Sequence, residues 1–130
     1  MQLMFQATTY SAFTEDQVRI FGLADDPQAP EHYLLLQRAE SFDEQDQALG
    51  MDSYYLELGG QQMAGYGGVD RLLLEPGQLT LHFSTTQAWC RDLSALVVRW
   101  SAELASLEAM AVALEGIFEG CGSLIEVRQG

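Results

Sequence analysis

Residues 33–70 read YLLLQRAESFDEQDQALGMDSYYLELGGQQMAGYGGVD. The segment opens with an apolar run, Tyr33–Gln37, and continues through an acidic, glutamine-rich insert to a second run, Tyr54–Leu58. A loop with five glycines (Gly59, Gly60, Gly65, Gly67 and Gly68) then leads to a further apolar run at Val69. Runs of this length bounded by glycine predict strands, here the third, fourth and fifth of the chain. Tyr33–Gln37 is apolar enough to be covered on both faces. Between Arg38 and Arg71 there is no Lys or Arg, whereas Glu40, Asp43, Glu44, Asp46, Asp52, Glu57 and Asp70 supply seven carboxylates. The insert itself, Phe42–Gly50, predicts a short helix. Asp43 suits its N-cap, Glu44 and Asp46 fall in the first turn where the helix dipole favours them, and Gly50 suits the C′ position.

Upstream, residues 2–10 predict a first strand with Leu3, Phe5 and Ala7 on one face, and Val18–Leu23 a second. Thr14-Glu15-Asp16 is a polar turn between them, which makes an N-terminal hairpin. Asp25–Pro30 is a loop, because its two prolines fix φ and remove ladder donors. Downstream, Glu75-Pro76-Gly77-Gln78 has the Pro and Gly placement of a type II turn. It leads to Leu79–Phe83, where Thr80 and His82 alternate with the apolar residues and should line a wet face. Thr85 or Thr86 is placed to cap a brief helical turn carrying Trp89, and Leu96–Trp100 is a seventh strand.

Ser101–Phe118 predicts one long helix. Leu104, Leu107, Met110, Ala111, Leu114, Ile117 and Phe118 form an apolar stripe at three- and four-residue spacing, with the glutamates off it and Gly120 as the stop. Leu124–Val127 reads either as an edge strand or as a tail. The expected fold class is α+β: a predominantly antiparallel sheet of six or seven strands, the long C-terminal helix packed on one face, and the short acidic helical insert.

At 130 residues the chain is expected to form one domain, residues 1–130, large enough to bury roughly two thirds of its unfolded surface without staples. No apolar run reaches the ~20 residues of a membrane span, and the first residues lack the basic region of a signal peptide. Cys90 and Cys121 are outside any Cys-x-x-Cys spacing, which predicts reduced thiols in a cytoplasmic protein. Nineteen carboxylates against six basic residues give a formal net charge of −13. A field of that sign repels nucleic acid and anionic membranes and speeds encounter with a basic protein, a nuclease being one example; it also serves solubility.

Sites for chemistry are few. His32 and His82 lack a recognisable nucleophile motif nearby in sequence, and the thiols lack the electropositive surroundings that activate cysteine. The carboxylates of the insert are hard oxygen ligands, but from Asp43 the EF-hand order fails, with Gln45 and Gln47 in the third and fifth places and Ala48 where glycine is required. The glycine loop lacks the Gly-Lys-Ser/Thr ending of a phosphate-binding loop and precedes a strand. No enzyme activity, metal or cofactor is expected. What remains is a binding surface. Tyr, Gln and Asp/Glu side chains together suit the rim of a basic site, and the candidates are Asp43, Glu44, Gln45, Asp46, Asp52, Glu57 and Tyr66. Tyr54 and Tyr55 point to opposite faces of a strand, so one packs inward. Arg38 and Arg71 are expected to pair with carboxylates of the acidic stretch, and Gly50, Gly67 and Gly68 to shape the backbone.

Several blocks of this stretch carry a family resemblance: Tyr33-Leu34, Leu36-Gln37-Arg38, Phe42-Asp43-Glu44-Gln45-Asp46, Leu49-Gly50-Met51-Asp52, Tyr54-Tyr55, Glu57 and Tyr66-Gly67-Gly68. They resemble the immunity protein 10 family of bacterial polymorphic toxin systems. Before Asp25 and after Phe83 the likeness is one of pattern, and it does not extend to the tail after Phe118. The resemblance implies a small, non-enzymatic cytosolic protein that binds and neutralises a cognate toxin, without saying which toxin. The alternative is a small acidic adaptor or ligand-binding domain with no toxin partner, and a third reading is a cation-binding module. Oligomeric state does not follow from the sequence.

Overall fold

The computed structural model describes residues 1–41, 53–60 and 63–129. The predicted acidic helix Phe42–Gly50 lies outside them. Ten strands are described: β1 Gln2–Gln6, β2 Thr9–Glu15, β3 Val18–Ala24, β4 Tyr33–Ala39, β5 Tyr55–Gly59, β6 Met63–Tyr66, β7 Val69–Glu75, β8 Gln78–Phe83, β9 Ala95–Arg99 and β10 Leu124–Val127. One α-helix, α1, spans Leu107–Phe118, and a 3-10 turn spans Ala88–Cys90.

The expectation of one sheet is corrected: there are two, each of five strands. One is antiparallel, in the order β2-β3-β4-β5-β6; the other is mixed, in the order β1-β9-β8-β7-β10. In the mixed sheet β1 runs parallel to β9 and β10 parallel to β7, while β7, β8 and β9 are antiparallel. The predicted first strand, residues 2–10, is divided between the sheets. Ala7 donates its amide to Arg99 O at 2.7 Å in the mixed sheet, and Thr8 donates to Ala24 O at 2.8 Å in the antiparallel one. The hairpin with Val18–Ala24 exists, but it is formed by β2.

Period-two burial turns the two sheets toward one another. Phe21, Leu23, Leu34, Leu36, Leu56 and Leu58 come from the antiparallel sheet, and Leu72, Leu74, Leu79, Leu81, Leu96 and Val98 from the mixed sheet. All share one buried cluster. Removing that apolar surface from water supplies the main force holding the sheets together. β4 is covered fully on one face only, its Tyr33, Leu35 and Gln37 being half-buried. On β8, His82 is exposed as expected, but Thr80 is buried, because it lies at the middle of its sheet between Leu73 and Val97.

The helix is shorter than Ser101–Phe118. It begins at Leu107, where the Ser106 side chain accepts the Ala109 amide at 3.1 Å as the N-cap; Ser101 instead accepts the Leu104 amide in a turn. Nor does α1 lie on one sheet's face. It touches β3 and β4 of one sheet and β7 of the other, with Met110, Leu114, Ile117 and Phe118 buried, so it closes the side of the shared core. The glycine segment Gly59–Gly68, expected as a loop, contains β6. That strand is held by Trp89, whose ring lies so close to Gly65 that an added Cβ would sit 2.2 Å from its Cδ1. Leu124–Val127 is an edge strand.

Candidate partner-binding site

The outer face of β4, β5 and β6 carries a cluster of three tyrosines around one glutamate. Alternation along β5 sends Leu56 and Leu58 into the core and Tyr55 and Glu57 outward. Tyr55 stands opposite Tyr66 of β6, with ring centroids 5.5 Å apart and planes tilted by 59°. The Tyr55 hydroxyl donates to Glu57 Oε1 at 2.7 Å, and the Tyr33 hydroxyl donates to Glu57 Oε2. Tyr33 is paired with Gly59, and its ring reaches Glu57 by crossing that residue: a Cβ on Gly59 would fall 1.9 Å from Tyr33 Cε2. Glycine here is a steric requirement of the cluster.

Hydrogen bonding sets the protonation states. The Tyr33 and Tyr55 hydroxyls hold the Glu57 carboxyl below its ordinary range. Conversely, donation to Glu57, with a contribution from burial, pushes the Tyr55 phenol up to about 12, and the Tyr33 phenol is raised for the same reasons. At neutral pH the site is therefore a carboxylate fixed between two neutral phenols, with Tyr66 beside it. A fixed, half-buried carboxylate with spare lone pairs is an acceptor for a partner's Arg or Lys.

Of the residues singled out in the sequence, Glu57 and Tyr66 are brought together here. Asp43, Glu44, Gln45, Asp46, Gly50 and Asp52 lie outside the described residues; in the chain they connect the Ala39 end of β4 to the Tyr55 end of β5. Arg38 reaches the end of α1. Its Nη1 donates to Ile117 O at 3.0 Å, to Glu119 O and to Cys121 Sγ at 3.3 Å, which places a cation on the last carbonyls of α1. Arg71 pairs with Glu126 of β10 at 3.0 Å. Gly67 and Gly68, at φ +71° and +101°, carry the chain from one sheet to the other; Gly67 donates to Tyr54 O and Gly68 O accepts from Ser84. Tyr54 is the inward tyrosine. It packs on Phe118 at 4.4 Å and accepts the Val69 amide at 2.7 Å, and burial pushes its phenol up to about 12.

Tyr33 was not among the expected contacts, and of Tyr54 and Tyr55, one of which was expected to face outward, it is Tyr55 that does. The i, i+2 spacing of Tyr55 and Glu57 was a usable signal; the involvement of Tyr33 depends on the β4–β5 register. Elsewhere, His32 Nδ1 is 3.3 Å from Asp25 Oδ2 and its ring stacks on Phe5. Cys90 is buried, and that burial, together with Asp70, raises its thiol. Among the described residues no group of three or more His, Cys, Asp or Glu is placed to hold a metal ion, and no helix is long and apolar enough to cross a membrane.

Comparison with known proteins gives one result. No curated protein and no solved structure matches the chain. A family model described as immunity protein 10 matches residues 6–110, from the end of β1 into the first turn of α1. That span contains both the tyrosine–glutamate face and the acidic insert. The chain therefore belongs to the immunity protein 10 family, whose members are non-enzymatic and serve polymorphic toxin systems by neutralising a cognate toxin.

Proposed function

We propose that this chain, acting in the cytoplasm as one domain, neutralises its toxin with an acidic surface centred on Glu57 and continued by Asp43, Glu44, Asp46 and Asp52. Gln45, Tyr66, Tyr55 and Tyr33 supply hydrogen bonds and shape. The surface covers a basic catalytic cleft, such as that of a nuclease, or an exosite beside it. The observation that carries this reading is the Glu57 carboxylate, held ionised on an open sheet face by two phenols and flanked by a third. Aromatic side chains around a charge that can be desolvated are the usual make-up of an interface anchor. The formal charge of −13 adds long-range attraction to a basic partner.

The test is co-expression with the product of the gene directly upstream, scoring growth rescue and co-purification, followed by binding kinetics. Association should slow as salt rises, because steering between opposite charges is screened. Asp43→Lys with Glu44→Lys, and separately Glu57→Lys, should weaken binding mainly through slower association and faster release respectively. Wild-type affinity in all of these folded variants would remove the acidic surface from the account while leaving immunity intact.

A further inference from the structure

A second open surface lies where β2 meets α1. β2 is an edge strand of the antiparallel sheet, and between it and the helix runs a groove of about 880 Å3, bounded by Tyr10, Ala12 and Phe13 on one side and Ala109, Val112 and Gly116 on the other. Its walls hold two of the most exposed large apolar side chains described, Phe13 at 50% and Val112 at 71%. Burial of the helix does not account for Val112, since the inward stripe is Met110, Leu114, Ile117 and Phe118. The groove has a built floor at one end, where Arg19 Nη1 donates to Gly116 O at 3.0 Å.

The electrostatics of the rim select the occupant. Glu115 and Glu119 line the groove. Its one lining cation, Arg19, is already offset by Glu119 at 3.7 Å. Beyond the lining residues, Glu15 ends β2, Asp16 follows it in the turn to β3, and Glu108 is in the first turn of α1. A second copy of this chain would bring another −13 charge against this acidic rim, and like-charge juxtaposition opposes such a pairing. A basic protein segment carrying an apolar side chain fits both features.

We infer that the groove between β2 and α1 is a second docking surface for the toxin. It takes an aliphatic or aromatic toxin side chain between Phe13 and Val112, with a neighbouring Lys or Arg on Glu115. This rests on the family's toxin partner, but not on the tyrosine–glutamate face. Two separate contacts on one toxin would lower its release rate beyond what either achieves alone.

The experiment uses the whole chain and the toxin domain encoded directly upstream. Dissociation constants are measured for wild type, Val112→Asp, Glu115→Lys and Tyr66→Ala, with thermal melting to establish folding. Amide hydrogen exchange of the wild-type complex is followed in residues 9–15 and 107–118. The expected result is a tenfold or greater loss of affinity for Val112→Asp and Glu115→Lys, together with slower exchange in both segments on binding. Wild-type affinity in both groove variants, with unchanged exchange in both segments, overturns the inference. If those variants lose affinity while Tyr66→Ala does not, the groove stands and the tyrosine face falls. If wild type fails to bind the toxin domain, the inference falls together with the proposed neutralisation of that toxin.

Discussion

The Tyr55 hydroxyl reaches Glu57 Oε1 at 2.7 Å along one face of a single strand, so acceptor and donor belong to the same five-residue element. Their geometry is therefore fixed by the pleat and does not depend on how distant segments settle. Replacing the carboxylate by a neutral amide should release the phenol. In Glu57→Gln, one tyrosine that titrates at about 12 should move toward its ordinary value near 10, as followed by ultraviolet difference titration. Tyr54, raised by burial instead, should not move.

Acid sensitivity should change in the same variant. The folded-state pKa of Glu57 lies below its ordinary value, so the unfolded chain binds a proton more readily than the folded one. The resulting stabilisation is complete at pH values above roughly 4.3, the unfolded carboxyl value, and disappears as pH falls through the lower folded value. Urea midpoints measured from pH 7 downward should fall less steeply for Glu57→Gln than for wild type in that acid window.

The inward tyrosine should behave oppositely to the outward ones. Tyr54→Phe removes the acceptor of the buried Val69 amide, and leaving such a donor unpaired costs about 1–3 kcal/mol. Urea denaturation should show that loss, while toxin affinity of the folded protein stays within twofold of wild type.

Gly65→Ala should be costly although alanine is small. Its Cβ would meet the Trp89 ring at 2.2 Å, and Trp89 is itself packed edge-on against Phe83 with centroids 5.9 Å apart. Overpacking of this kind costs about 1–3 kcal/mol, measurable as a lower urea midpoint with an unchanged slope.

The start of α1 separates two serines. Ser106→Ala removes the N-cap acceptor of the Ala109 amide and should cost about 1 kcal/mol. Ser101→Ala, five residues earlier and outside the helix, should be close to neutral in the same denaturation assay.

The strands were legible where a short apolar run was bounded by turn or loop residues, as in Val18–Leu23, Tyr33–Gln37 and Leu79–Phe83, each of which the structure extends by one or two residues. Their assignment to sheets was not. Ala7 and Thr8 direct consecutive amides to different sheets, and neither residue type carries a local mark of that crossing. β6 was hidden because Met63-Ala64-Gly65-Tyr66 has the composition of a turn; its strand geometry depends on a tryptophan more than twenty residues away in sequence. The helix start was placed at Ser101, five residues early, because the apolar stripe runs back to Leu104 while the cap that starts the helix is Ser106. At the binding face, charge and aromaticity picked out Glu57 and Tyr66, but Tyr33 joins them only through strand register. The β2–α1 groove was invisible for a related reason: an apolar stripe says which helix face is covered, not what an exposed Val112 will stand beside.

The mixed sheet also dictates an order of assembly. β1 has its partner in β9, about ninety residues later in the chain, and such long-range pairing must meet the entropy of closing the intervening loop before it is rewarded. The antiparallel meander β2–β6 has short-range pairs and can form as it is synthesised, whereas β1 must wait for β9, and the β7 edge must wait for β10. For a member of a family that neutralises toxins, the translation and folding of its last third then limit how soon a newly made molecule offers protection.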